Sequence, residues 1–280
     1  MRVKKYSGEL VPFDEMALRR SLTKSGANEE EVNMVYESIK TSIYDGISTK
    51  ELYQMAFDAL RTKKNSYAAR YSLKKAIREL GPEGFYFEKW IARLFQEDQY
   101  EAITGQTVQG HAVSHEIDVV AVKENEMLAV ECKFRNDADS KISVTTPMYF
   151  KSRIEDITGN SYSFFNRNRE FTNGWLVTNA YFTSDSVSFG NYYKINLLSW
   201  DYPSDSCLKK RVDSNAEYPV TCLTNITDQD KAMLLKNQII LVKDLVKSPQ
   251  VLDRIQISKD KQVLIIKEAN ELINSPIEHN

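Results

Sequence analysis

The stretch HEIDVVAVKENEMLAVECKFRND, residues 115–137, decides how the middle of the chain folds. Ile117 to Val122 and Leu128 to Cys132 read as two apolar strands, and the polar KENE between them as the turn of a hairpin. Side chains alternate along a strand, so Glu131 and Lys133 share one face while Val130 and Cys132 take the other. Asp118 interrupts the start of the first strand, and hairpin pairing brings it beside Glu131 near one end of the sheet. Upstream, Gly84 to Gln96 has Phe87, Trp90, Ile91, Leu94 and Phe95 at helical spacing, with Glu88 at the edge of that stripe.

Carboxylates gathered at one sheet end, with a lysine beside them, suit metal-assisted hydrolysis of a phosphodiester. A hard cation such as Mg2+ (or Mn2+) takes oxygen ligands and keeps several waters, so a few carboxylates hold it while leaving room for phosphate and nucleophile. Asp118 and Glu131 are the expected metal ligands, with Glu88 completing the shell directly or through water. Lys133 is expected to orient the attacking water or stabilise developing charge. An ExK triplet alone fits a solvated pair on an edge strand equally well. The order Glu88, Asp118, Glu131, Lys133 on a helix and a hairpin is what raises the signal.

The rest of the chain divides by texture. Its 280 residues, 42% hydrophobic and 27% charged, suit two or three globular domains. No apolar run approaches the roughly 20 residues of a membrane helix, and the MRVKKYSGEL start has no apolar stretch behind it, so a cytoplasmic protein is expected. The cysteines, Cys132, Cys207 and Cys222, are too scattered for a disulfide framework or a structural zinc site. The net charge is −2, with residues 1–80 basic and the remainder acidic, so overall charge does not argue for nucleic acid; a DNA role rests on the site.

Residues 1–82 read as a helical bundle with a small β cover. VKKYSGELVPF forms two short strands around Ser7-Gly8, and Asp14 caps a first helix. Helices follow over Glu29 to Tyr44, closed by Asp45-Gly46, after Ser48 or Thr49, and over Ser66 to Leu80, where Gly81-Pro82 stops the chain. Residues 83–203 alternate helix and strand, an α/β domain. Residues 204–280 hold a linker and a helical region, with Asp201 to Tyr218 the aperiodic linker. Phe164, Phe165, Arg167 and Arg169 read as a surface loop with a composition able to stack on unpaired bases. His115 reads as structural and Cys132 as a small core residue.

The arrangement helix-Glu88, Asp118, Glu131-x-Lys133 resembles the PD-(D/E)xK nuclease superfamily, most closely its Mrr-type restriction endonuclease branch. NGWLVTNAYFTSDSVSF and YYKINLLSW are similar to the strand, turn, helix and strand that close such domains. The resemblance implies a mixed sheet flanked by helices and Mg2+-dependent cleavage of DNA. No QxxxY motif follows the ExK; the nearest helix is MYFKSRIEDI.

VKKYSGELVPFD, GISTKELY and AARYSLKKAI, ending in LGP, resemble the ATP-cone, a regulatory module that binds adenine nucleotides. The resemblance implies a bundle with a β cap and a site for ATP or dATP at Val3, Lys5, Gly8, Arg19, Arg20 and Thr49. Two departures stand out: Tyr6 replaces the family's arginine, and Ala17 replaces a lysine, for which Arg19, Arg20 or Lys24 would compensate. LLKNQIILVKDL faintly resembles a helix-hairpin-helix, with Asn237 where glycine is usual.

The function expected is a DNA endonuclease biased by a bound nucleotide and acting as a homo-oligomer, because double-strand cleavage by single-site subunits needs two sites. The alternatives are a nucleotide-sensing DNA-binding regulator that does not cut, and a structural protein built from the same folds.

Overall fold

The computed structural model describes residues 1–5 and 7–274. Tyr6, the residue expected to replace the cone arginine, lies outside the described residues.

Strands β1 (Arg2–Lys4) and β2 (Leu10–Pro12) pair antiparallel around Gly8, whose φ of +87° a side chain would strain. Helices α1 (Glu15–Thr23) and α2 (Glu29–Lys40) follow, then β3 (Ile47–Ser48), which pairs parallel to β1 and completes the cap. Asp14 caps α1 by accepting from the Ala17 N–H at 2.9 Å, as expected. Ser48 and Glu51 form a capping box at the start of α3 (Thr49–Lys63). Leu22, Val35, Ala56, Leu60 and Ala68 form the bundle core.

Two expectations for this region need correction. The second helix ends at Lys40 rather than Tyr44, where Thr41, Ser42 and Ile43 are poor helix formers, and Gly46 leads into β3 instead of closing the helix. The expected Ser66–Leu80 helix is two: α4 (Asn65–Tyr71) and α5 (Leu73–Arg78). The Ser72 hydroxyl donates back to the Ala69 carbonyl at 3.0 Å, the kind of local bond that bends a helix.

The central domain opens with α6 (Phe85–Glu97), then β4 (Glu101–Gln109), β5 (Ser114–Lys123), β6 (Glu126–Lys133), β7 (Lys141–Ile142), α7 (Thr145–Ile157), β8 (Tyr162–Phe164) and β9 (Arg167–Arg169). It closes with β10 (Asn173–Thr178), β11 (Tyr181–Phe182), α8 (Ser184–Tyr192) and β12 (Asn196–Leu198), the strand, turn, helix and strand expected. The main sheet has the order β12-β10-β6-β5-β4, parallel through β12, β10 and β6 and antiparallel beyond. Both faces are covered: Val119, Ala121 and Val130 pack under α6, and Val120, Val122 and Ala129 pack with Ile154 and Ile157 of α7. The Phe164–Arg169 segment is a hairpin rather than a loop, with Phe164 and Phe165 packed on the second of these clusters and Arg167 paired with Glu101.

Helices α9 (Leu208–Asn215), α10 (Asp228–Lys236), α11 (Val242–Lys247), α12 (Val251–Arg254) and α13 (Lys259–Ile273) complete the described chain. Among the described residues no helix is long and apolar enough to cross a membrane. The Asp201–Tyr218 segment is not a linker. Leu208 and Val212 of α9 and the following Tyr218 are fully buried in one cluster with Leu73 and Ile77 of α5, Trp90 of α6 and Leu272 of α13. Their spacing is helical but interrupted by Lys, Arg and Asp, which hides the stripe. The Tyr218 hydroxyl accepts from Arg70 Nε at 3.2 Å and donates to Asp213 at 3.0 Å, while Trp90 Nε1 donates to the Glu217 carbonyl at 3.1 Å.

All three parts of the chain therefore contribute to one apolar cluster, which adjoins the separate core of the bundle, and unfolding is expected to be a single transition. Tyr218→Phe, which keeps the ring and removes both hydroxyl bonds, should cost about 1–3 kcal/mol in urea unfolding without splitting that transition.

Candidate active site

Pairing of β5 with β6 runs from Lys123↔Glu126 to Val119↔Val130 and stops there. The next opposed positions are Asp118 and Glu131, at the point where the strands part. Asp118 Oδ2 accepts the Cys132 N–H at 2.6 Å, so a side chain takes over where the backbone ladder ends. Cys132 itself is buried in the core beneath α6, as its alternation implies.

Glu131 is only 3% exposed. Its two oxygens are engaged by different cations: Lys133 Nζ at 2.5 Å on Oε1 and Arg153 Nη1 at 2.5 Å on Oε2. Arg153, on α7, also donates to the Glu116 carbonyl. A carboxylate this deep needs such compensation, because removing its partners would leave a bare charge in a poorly hydrated place.

Asp118 and Glu88 are compensated less. Burial, followed by the nearby Glu131 charge, pushes the Asp118 carboxyl up to about 6. Burial and then Asp118, Glu116 and Glu131 push Glu88, in the first turn of α6, up to about 7. The Glu88 carboxylate takes no hydrogen bond or ion pair from any described residue. The structure thus brings all four expected residues to one sheet end, as a cluster whose negative charge exceeds its local counter-charge.

Among the described residues no three carboxylate, histidine or cysteine groups already converge in ligating geometry. The donor set nevertheless fits a hard divalent cation, which needs only one or two carboxylates beside its waters. Asp118 and Glu88 supply under-compensated oxygens, and Glu131 could join them only by exchanging a contact with Arg153 or Lys133.

Sequence reasoning missed Arg153 and Glu116. Arg153 is 9% exposed in the buried stripe of α7 with Phe150 and Ile157, and a lone arginine on such a stripe was the available signal. It lies four residues after Tyr149 and caps that ring at 5.7 Å, in the helix where a QxxxY motif is missing. Glu116 precedes Asp118 by two, the period of one strand face. His115 is structural: its Nε2 meets Asp156 at 2.7 Å, and the same carboxylate accepts the Ala112 and Val113 N–H groups.

In the cone, Val3 is buried in β1, and the Lys4↔Ser48 register sets the end of that strand beside Thr49 at the start of α3. Lys5 pairs with Glu9 at 3.1 Å across the Gly8 turn. Arg19 is occupied elsewhere, pairing with Glu15 at 2.7 Å and lying 4.2 Å from the centre of the Tyr36 ring, so it fastens α1 to α2. Arg20 is exposed, with Asp14 3.5 Å away.

Family models match successive stretches of the chain. Residues 1–80 match the family model of the ATP cone domain and residues 80–201 that of a restriction endonuclease. The chain therefore carries an ATP-cone domain followed by a domain of the Mrr restriction-endonuclease type. Residues 218–273 match a third family, AF1548-like, C-terminal. An uncharacterized protein of Archaeoglobus fulgidus is 29% identical over 184 residues, 65% of this chain and 99% of its own length. The crystal structure of AF1548, a protein of unknown function, superposes with a TM-score of 0.55 at 28% identity, over 68% of this chain and 98% of that one.

The raised carboxyls give a signed stability prediction for the metal-free protein. Glu88 holds its proton more tightly folded than unfolded, so its contribution is fully present below about pH 4.5 and is lost as pH rises through about 7. Glu88→Gln should therefore stabilise the protein in EDTA at pH 8 by about 1 kcal/mol, after allowing for solvent screening, and leave it unchanged at pH 4.5. Paired denaturant melts at the two pH values measure the difference.

Proposed function

We propose that the protein is a DNA endonuclease dependent on Mg2+ or Mn2+, with ATP or dATP bound by the cone biasing its activity. The observation that carries this reading is the cluster at the parting of β5 and β6, where Asp118, Glu131 and Glu88 meet beside Lys133. The bound cation would polarise the scissile phosphate and lower the proton affinity of a coordinated water. Asp118 and Glu88 are the oxygens that hold it, and Glu131 reaches it from the adjoining strand. Lys133, whose side chain is about a third exposed, stands at the mouth of the cluster, where it would meet the phosphate's negative charge or orient the water. Arg153 holds Glu131 in place from behind. One site per chain means that a double-strand cut takes two copies of the protein.

A second reading, a nucleotide-sensing DNA binder that does not cut, is favoured by one observation: both Glu131 oxygens already carry cationic side chains. Cleavage of supercoiled plasmid separates the two. With Mg2+ or Mn2+ the protein should nick the plasmid, EDTA should abolish nicking, and Asp118→Ala or Lys133→Ala should slow it by about 10²-fold or more with DNA binding retained. Intact plasmid under all metal conditions, with DNA still bound, would establish the non-cutting reading. An effect of ATP or dATP on the nicking rate tests the role of the cone.

A further inference from the structure

A cavity of about 700 Å3 lies between the cone and the nuclease domain. Its two walls carry opposite charge. Helices α3 and α5 contribute Lys50, Lys74, Lys75 and Arg78, and the nuclease loop that follows β6 contributes Asp137 and Asp139. Thr49 and Tyr53 also line it, and the Tyr53 hydroxyl is buried without a hydrogen-bond partner among the described residues. An unpaired buried hydroxyl costs free energy that a ligand oxygen would recover.

The loop is fastened at both ends and open at its tip. Asn179 accepts from the Arg135 N–H and donates to the Arg135 carbonyl, each at 2.8 Å, and the Tyr181 N–H donates to the Ser140 carbonyl at 3.1 Å. Asn136 to Asp139 are exposed. Lys74 Nζ crosses from the cone to donate to the Ala138 carbonyl and the Tyr181 hydroxyl, both at 2.6 Å. Neither Asp137 nor Asp139 forms an ion pair with the facing lysines, although Asp139 is the strongest opposing charge that Lys74 feels. The loop also begins at the candidate site: Phe134, next to Lys133, packs against Phe87 with the rings tilted and their centres 5.5 Å apart, and presses on Gly81, where an added Cβ would come within 2.6 Å of its ring.

Resting on the reading that the cone binds a nucleotide whose phosphates enter this cavity, we propose that the loop of residues 136–140 on the nuclease side senses them. The incoming phosphates become the counter-charge of Lys50, Lys74, Lys75 and Arg78, and they repel Asp137 and Asp139 on the opposite wall. Because the stem of that loop is Lys133-Phe134, displacement of its tip is conveyed to the end of β6 that carries Glu131 and Lys133. Coupling of this kind is reciprocal, so the acidic loop weakens polyphosphate binding as much as the polyphosphate disturbs the loop.

Calorimetry on the full chain with ATP and with inorganic tripolyphosphate, beside hydrogen exchange of residues 134–141, tests this. Lys75→Ala combined with Arg78→Ala should weaken both ligands by about ten-fold or more, and Asp139→Asn, on an exposed loop, should tighten both by about three-fold. Exchange in residues 134–141 should change when either ligand is added. ATP affinity indifferent to all three substitutions, or exchange unchanged at saturation, would overturn the inference while leaving a cone nucleotide site elsewhere. Tripolyphosphate binding without ATP binding would keep the phosphate site and remove the nucleotide reading. Absence of binding by either at millimolar concentration would remove both.

Discussion

Glu131 is ionisable, almost wholly buried, and set near the end of the middle strand of a sheet whose two faces are covered by apolar side chains. Such a group is tolerated only with counter-charge, and Lys133 and Arg153 supply it from the same strand and from α7. That requirement fixes much of what surrounds it. Helix α7 must lie across the sheet so that Arg153 reaches both Glu131 and the Glu116 carbonyl. Strands β5 and β6 must separate at Asp118, because its carboxylate takes the Cys132 N–H there. The result is a sheet end at which Asp118 and Glu88 keep more negative charge than their neighbours neutralise; protons relieve it, and on the function proposed a metal ion would do the same.

The same site is not mechanically isolated. Phe134 joins the end of β6 to Phe87 on α6 and to Gly81 at the end of the cone, and the C-terminal helices pack into the core that both domains share. Tyr218 ties Arg70 of the cone bundle to Asp213 of α9. A change at the cone therefore meets rigid contacts rather than a slack tether on its way to β6, which is the physical condition for one domain to bias another.

Much of this was readable beforehand. Period-two alternation placed Glu131 and Lys133 on one face, hairpin register placed Asp118 opposite, and the apolar stripe of α6 located Glu88. Asp14 at the first helix start and Gly8 in the first turn were legible because capping and positive φ are local demands. What escaped depends on distant partners. Arg153 looked like one more helix arginine until the sheet brought Glu131 to it. Residues 201–218 looked like a linker because Lys, Arg and Asp break their apolar pattern, yet Leu208, Val212 and Tyr218 are buried with residues far along the chain, Ile77, Trp90 and Leu272 among them. Ser72 divided a helix that periodicity drew as continuous, since hydroxyl back-bonding leaves the apolar spacing untouched.

The central claim is that the charge left over at Asp118 and Glu88 is the binding energy for a divalent cation. Titration of Mn2+ into the metal-free protein at pH 6.5, in two buffers of different ionisation enthalpy, measures both affinity and the protons released. The account predicts binding at one site with net proton release, as raised carboxyls give up their protons to the metal, and loss of both in Asp118→Asn. Mn2+ binding without proton release, or binding that survives Asp118→Asn unchanged, would contradict it.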